Sequence, residues 1–135
     1  MRNLRETGAI FLCLSALNFL FHQVVAGRFL DEQLDGITKP LAELGPIGPG
    51  LIYLLSAVII VICARVAQGQ ADRRLYAVAS GGAVGLLSFG TWNVINFGLL
   101  PDWPLSVVIV DTAWHVLAGV IAGFVLVLVF PIKQD

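Results

Sequence analysis

The sequence predicts an all-α integral membrane protein that folds as a four-helix bundle with both termini in the cytoplasm. Three observations support this fold class. Of the 135 residues, 58% are hydrophobic and only 13% are charged; four apolar segments are long enough to cross a bilayer; and basic residues concentrate in alternate connections. A soluble domain of this size lacks the interior volume to bury so much apolar surface. The mean hydropathy of +0.89 agrees with this conclusion.

Each apolar segment has the length that a helix needs to cross the hydrocarbon core, about 17 to 25 residues. The first follows a charged N-terminus, as in a signal peptide, but its run over residues 9–25 is too long for one and lacks a small-residue cleavage site. The connection over residues 30–49 is either a short amphipathic helix on the surface or a solvated loop. We expect a single transmembrane domain over residues 1–135, with helices at about 8–29, 50–66, 75–99 and 105–131.

The orientation follows from the distribution of basic residues, because short cytoplasmic loops carry an excess of Lys and Arg. Six of the eight basic residues precede the first helix, flank the second connection or follow the fourth helix: Arg2, Arg5, Arg65, Arg73, Arg74 and Lys133. The remaining two, Arg28 and Lys39, lie on the other side among acidic residues. Both termini are therefore expected in the cytoplasm.

Charge and motifs narrow the class of function. The net charge is -1 and no basic run or RNA-binding motif occurs, so nucleic acid is not an expected partner. Cys13 and Cys63 lie within apolar runs and are expected to be buried free thiols. The motifs of zinc proteases, serine hydrolases, β-lactamases and P-loop enzymes do not occur, which favours a protein that is not an enzyme.

Polar side chains within the apolar segments are the candidate functional residues, because an unpaired polar group in hydrocarbon costs several kcal/mol. A helical rise of about 1.5 Å per residue puts His22 and His115 at one depth, about 4 to 5 Å outward of the membrane centre. The bundle is expected to turn this polar cluster inward. Its predicted members are Asn18, His22, Asn93, Asn96, Asp111, Trp114 and His115.

Two further patterns concern how the helices pack. Residues 18–22 and 111–115 share the order Asn or Asp, two apolar or small residues, an aromatic residue and His. Such matching elements often face each other across a central site. A match over five positions also arises by chance. Small residues spaced four apart predict close approach of the third and fourth helices. They are Gly81 and Gly85 on the third helix and Gly119 and Gly123 on the fourth.

Three functional hypotheses remain open. The first is a non-enzymatic accessory subunit, or one that binds a small ligand or a lipid headgroup, in a larger membrane complex or a homo-oligomer. The second is a redox or photosynthetic subunit in which His22 and His115, the only histidines, ligate haem b or (bacterio)chlorophyll. The third is proton-coupled transport through Asp111. We prefer the first, because a membrane histidine is more often bonded to a neighbour, and one acid in four spans is little for a carrier.

The last two apolar segments and their turn share a set of motif residues with other proteins: Gly90, Asn96, Leu100, Trp103, Pro104, Asp111 and Trp114. The set resembles a family of small bacterial membrane proteins known as domain of unknown function 2177. Members typically read Gly-x-Tyr-Asp-x-x-Asn, a short spacer, Trp-Pro and then Asp-x-x-Trp-Gly. Residues 27–29 and 33–34 also look like the family's first loop. The resemblance implies a multi-pass protein of the bacterial cytoplasmic (inner) membrane, and it implies no reaction.

The chain departs from the family pattern at polar positions. Where the family tends to have Tyr-Asp, this chain has Trp92 and Asn93. The family's first-helix Asp-x-x-Trp becomes Asn18 and Phe21, and the glycine after the last tryptophan becomes His115. Carboxylates are replaced and histidines appear, so a carboxylate-based family activity does not transfer directly to this chain.

Overall fold

The computed structural model describes residues 2–38, 47–66 and 73–131, and all regular elements within these ranges are helical. This confirms the predicted all-α class. The elements are α1 (Arg2–Leu20) with a π-helical turn (Phe21–Val25), α2 (Gly27–Gln33), α3 (Ile47–Val66), α4 (Arg73–Gly85) with a second π-helical turn (Leu86–Gly90), α5 (Thr91–Leu99) and α6 (Leu105–Val129).

Within the described residues, four stretches are long and apolar enough to cross a membrane: Arg2–Val25, Ile47–Val66, Arg74–Leu99 and Leu105–Val129. The helices close into a ring, because α1 packs against α3 and α6, and α4 packs against the same two helices. Large apolar side chains cover the outside, among them Leu12, Phe19, Leu55, Leu87, Val94, Ile109 and Phe124. So large an exposed apolar surface requires contact with lipid.

The first span begins at Arg2, six residues before the predicted start at residue 8. The cause is Glu6, which is buried and accepts hydrogen bonds from Nε of Arg65 at 2.9 Å and from its Nη2 at 2.5 Å. Nε of Arg2 also lies 3.4 Å from the Glu6 carboxylate. A buried carboxylate is tolerated where it is paired and hydrogen-bonded, so the charged N-terminal residues belong to the helix.

The first span ends at Val25, and the chain turns away from the helix axis at Ala26, before the predicted end at residue 29. Ala26 has φ −123° and ψ 0° and donates its backbone N–H to the carbonyl of Phe21 at 2.7 Å. A short helix over Gly27–Gln33 covers the end of the predicted first span and only the start of the connection over residues 30–49, and residues 34–38 form a turn. The short helix packs through Leu30 against an apolar cluster that includes Phe21 and Trp103. Residues 39–46, with Lys39, lie outside the described residues, as does Lys133.

Of the other predicted helix boundaries, those at residues 66, 99 and 105 agree with the structure, and the remaining three differ by two or three residues. α3 begins at Ile47 rather than at residue 50. Pro49 does not prevent this, because the first N–H groups of a helix have no intrahelical partner and a missing donor there costs little. α6 ends at Val129, two residues before the predicted end at 131.

α4 and α6 approach each other at backbone distance along their glycines. A Cβ atom added at Gly81 would overlap the carbonyl oxygen of Gly119, and one added at Gly85 would overlap the carbonyl oxygen of His115. The turn between α5 and α6 contains Asp102 at φ 62° and the buried Trp103. Helix α6 is therefore held directly against α4, which fixes where its polar residues lie.

Candidate functional site

Asp111 on α6 is the centre of the polar cluster. Nδ2 of Asn93 donates to its Oδ2 at 2.7 Å and also to the Phe89 carbonyl at 3.0 Å. The other carboxylate oxygen, Oδ1, lies 3.4 Å from Nδ1 of His115 and 3.9 Å from Nε2 of His22. One carboxylate thus joins α6 to α5 and to the end of the first span.

The two histidines make the same local hydrogen bond. Nδ1 of His22 lies 2.9 Å from the Asn18 carbonyl oxygen, and Nδ1 of His115 lies 2.8 Å from the Asp111 carbonyl oxygen. Because a carbonyl only accepts, each Nδ1 carries the proton, and each neutral ring has only a lone pair at Nε2. The ring centroids are 6.2 Å apart. The repeated pattern at 18–22 and 111–115 therefore produces the same side-chain geometry twice.

Stacked aromatic rings enclose the two histidines. The ring of Phe89 covers that of His115, with centroids 3.4 Å apart and planes at 12°. Phe21 stacks on Trp114 at 4.6 Å and 6° and meets the edge of His22 at 5.1 Å. These apolar walls exclude water from one side of the cluster, which strengthens its electrostatic interactions.

Two π-helical turns position residues of the cluster. His22 lies in the turn Phe21–Val25 and Phe89 in the turn Leu86–Gly90. A π turn inserts one extra residue, which rotates the following side chains by about 100° relative to a regular α-helix. Such turns occur often at functional sites. Gly27 is also required here, because a Cβ atom at this position would overlap the carbonyl oxygen of His22.

The structure places most of the predicted cluster in one region. Five of the seven predicted residues lie around the Asp111 carboxylate or bond to a histidine: Asn18, His22, Asn93, Asp111 and His115. Trp114 stacks on Phe21, which meets the edge of His22. Asn96 is buried on α5 one turn away from Asn93, and no hydrogen bond joins its side chain to this cluster within the described part of the chain. The predicted glycine faces lie between α4 and α6.

Sequence reasoning missed several residues of the site. Phe89, Tyr53 and Ser56 lie against or near His115, and Thr112 lies 3.4 Å from Nδ2 of Asn93. Phe89 is four residues before Asn93, the spacing of one helical turn, and this was the available signal. Among the described residues, no group of three His, Cys, Asp or Glu side chains is arranged to hold a metal ion.

Comparison with known proteins gives one match. The chain belongs to the family described as "Predicted membrane protein (DUF2177)", whose model matches residues 6–128. No curated protein and no solved structure matches the chain. The match includes every residue of the polar cluster and both partners of the ion pair between Glu6 and Arg65.

Proposed function

As a member of a family of multi-span membrane proteins, the chain works within a bilayer, and we propose that it is a non-enzymatic membrane subunit whose small ligand is a proton. His22 and Asp111 together hold one exchangeable proton, and Asn93 orients the carboxylate. The observation that carries the proposal is the approach of two proton acceptors, Nε2 of His22 and Oδ1 of Asp111, to 3.9 Å.

The proton balance of this pair supports the proposal. A neutral His22 that donates from Nδ1 to the Asn18 carbonyl has only a lone pair at Nε2. An ionised Asp111 also offers only lone pairs, so two deprotonated groups would face each other in a medium of low dielectric. One proton on either group turns this repulsion into attraction. A single proton held between Nε2 of His22 and Oδ1 of Asp111 would therefore relieve the repulsion.

Among the residues that the structure describes, no lysine or arginine lies within ion-pair distance of Asp111. Among the described residues, only the two histidines lie within ion-pair distance of this carboxylate, and Tyr53 is a further titratable group within its electrostatic range. The exposed fraction differs among the three side chains. It is 24% for His22, 13% for Asp111 and 3% for His115. His22 is therefore the more accessible of the two rings from outside the bundle.

The buried face of α1 favours proton binding over conduction. Its buried residues are Glu6, Ile10, Leu14 and Asn18, so two apolar side chains separate the polar cluster from the ion pair of Glu6. Ile60 and Leu126 belong to the same apolar core. The transport hypothesis therefore needs a rearrangement of this layer, and we expect no sustained proton flux through the protein in liposomes.

The test uses protein in lipid nanodiscs, labelled with ¹⁵N at its two histidines. The ¹⁵N shifts report the tautomer and the charge of each ring, and infrared difference spectra against Asp111→Asn identify the carboxyl band of Asp111. We expect both neutral histidines to carry the proton on Nδ1. The His22 signals and the Asp111 band should then change together in one pH transition.

Asp102→Asn is the matched control, because this aspartate lies in an exposed turn at positive φ, a conformation that asparagine tolerates. It should leave the transition unchanged. A proton on Nε2 of neutral His22, or separate transitions for His22 and Asp111, would overturn the proposal.

The packing gives less support to the haem or (bacterio)chlorophyll alternative. The Asp111 carboxylate lies within 4 Å of both rings, and Phe89 covers one face of His115. A macrocycle between the two rings would have to displace both groups. An absorption spectrum of protein purified from its native membrane tests this: a Soret or near-infrared band lost in both His22→Ala and His115→Ala would favour the cofactor. The same preparation tests the accessory role, through any larger complex that copurifies.

A further inference from the structure

A small cavity lies inside the bundle, between α1, α3, α4 and α6, with a free volume of about 10 Å³. Most of its lining is apolar or glycine. The polar lining residues come from three helices: Asn18, Tyr53, Ser56 and His115. Neither His22 nor Asp111 lines the cavity, and it adjoins that pair through His115 and through Asn18, whose carbonyl accepts the His22 hydrogen bond.

Two of the lining residues have a buried polar atom without a partner. Asn18 is 2% exposed and its Oδ1 has no hydrogen bond, while His115 is 4% exposed and its Nε2 has none. Nδ2 of Asn18 donates to the Leu14 carbonyl at 2.9 Å, which fixes the orientation of the amide. Nδ1 of His115 donates to the Asp111 carbonyl. Both unpaired atoms are therefore hydrogen-bond acceptors.

The chemistry of the cavity defines its ligand. Two buried acceptors require a partner with two donors, and buried polar groups are seldom left unpaired. A volume of about 10 Å³ is at the size that holds one water, which usually makes two to four hydrogen bonds. The hydroxyl groups of Ser56 and Tyr53 supply further donor or acceptor positions on the α3 side.

We propose that this cavity is a binding site for one structural water molecule, which donates its two hydrogens to Oδ1 of Asn18 and Nε2 of His115. The water joins α1 to α6 where no direct hydrogen bond between the two side chains exists. It also fixes the protonated nitrogen of His115, whose Nδ1 lies 3.4 Å from Oδ1 of Asp111. The inference rests on the geometry of the cavity and adds a positioning role for His115 to the proposed proton site.

The test measures contact between water and His115 in nanodiscs, with the chain labelled at its two histidines. We expect a cross-peak between water protons and the His115 ring that persists when bulk water is suppressed, and a Nε2 shift typical of an accepted hydrogen bond. Asn18→Leu removes one acceptor with a side chain of similar shape and Ser56→Val fills the cavity, so both should abolish the cross-peak. Ser106→Val is the control, because Ser106 is exposed on the outside of α6.

The variants also separate this inference from the proposed function. An absent cross-peak in the native chain, or one that survives both Asn18→Leu and Ser56→Val, would overturn the water site. The paired transition of His22 and Asp111 is read from the same labelled sample, so its presence without the cross-peak would leave the proton proposal standing. Ser56→Ala, the milder variant, should shift the Nε2 signal even if Ser56→Val fails to fold.

Discussion

At the scale of single residues, the site depends on one carboxylate held without lysine or arginine. Asp111 has an amide donor at one oxygen and two imidazoles near the other. The amide donor keeps the carboxylate aligned whatever the charge of the histidines. Asn93 is therefore the residue through which the stability of the cluster can be measured.

We predict that Asn93→Leu destabilises the protein by about 1.5 to 3 kcal/mol, the usual range for a hydrogen bond to a charged group. Leucine has the same branched shape as asparagine, although it is larger, and it leaves Oδ2 of Asp111 without its donor. The measurement is reversible unfolding of the purified protein in mixed detergent micelles. Asn96→Leu is the control, since Asn96 is buried on the same helix outside the cluster. Equal losses from both variants would contradict the prediction.

Much of the cluster can be predicted from the sequence because depth in a membrane helix follows from residue number. The equal depth of His22 and His115 follows from their residue numbers and the helical rise. In the structure their ring centroids lie 6.2 Å apart. The cover that Phe89 forms over His115 cannot be predicted in this way, because it depends on a π turn. The extra residue of a π turn changes the face of a side chain without any change in composition.

At the scale of elements, the contact between α4 and α6 determines where His115 lies. We predict that Gly85→Ala destabilises the protein and shifts the ring signals of His115, because the new methyl group would overlap the carbonyl oxygen of that residue. The backbones must then separate along a contact that small residues make possible. Thermal unfolding and the ¹⁵N spectrum of the labelled histidines measure the two effects.

Gly98→Ala is the control for this change, because no heavy atom lies within 4 Å of a Cβ atom at Gly98 on α5. Alanine favours a helix over glycine by up to about 1 kcal/mol, so the control should be neutral or slightly stabilising. A loss of stability in Gly98→Ala that matches Gly85→Ala would mean that backbone proximity is not the cause.

The predicted start of the first helix, at residue 8, is wrong because a contact with another helix extends α1 to Arg2. Charged residues before an apolar run normally lie in water, so the sequence predicts that residues 2–7 lie outside the helix. Glu6 is instead buried because Arg65, 59 positions later in the chain, donates two hydrogen bonds to it. A pairing of this kind depends on how α1 and α3 pack, and hydropathy along one chain carries no information on it.

We predict that Glu6→Ala lowers stability by about 1.5 to 3 kcal/mol, since Arg65 would lose two hydrogen bonds while its side chain remains only 23% exposed. The matched control is Glu32→Ala, which breaks the pair of Arg28 and Glu32 at 2.7 Å, where the side chains are 91% and 61% exposed. Exposed pairs contribute at most about 1 kcal/mol. Detergent unfolding compares the two variants, and a larger loss in Glu32→Ala would refute the importance of burial.

At the scale of the whole molecule, the bundle has two polar ends of different character. Glu6 and Arg65 lie at one end, and His22 and Asp111 lie nearer the other, about 24 Å away along the first span at about 1.5 Å per residue. Paired charges at the first end are compatible with a surface rich in arginine. The neutral or singly protonated cluster at the second is compatible with partial burial in hydrocarbon.

This asymmetry, with the bias of basic residues, gives the last prediction: both termini lie in the cytoplasm. Four crossings return a chain to the side on which it started, and Lys and Arg concentrate on the cytoplasmic side. Alkaline phosphatase fused after residue 135 should be inactive, and the same enzyme inserted between residues 38 and 47 should be active. Green fluorescent protein at the C-terminus should fluoresce. The reverse pattern would contradict this orientation and would place the proposed proton site nearer to the cytoplasmic side.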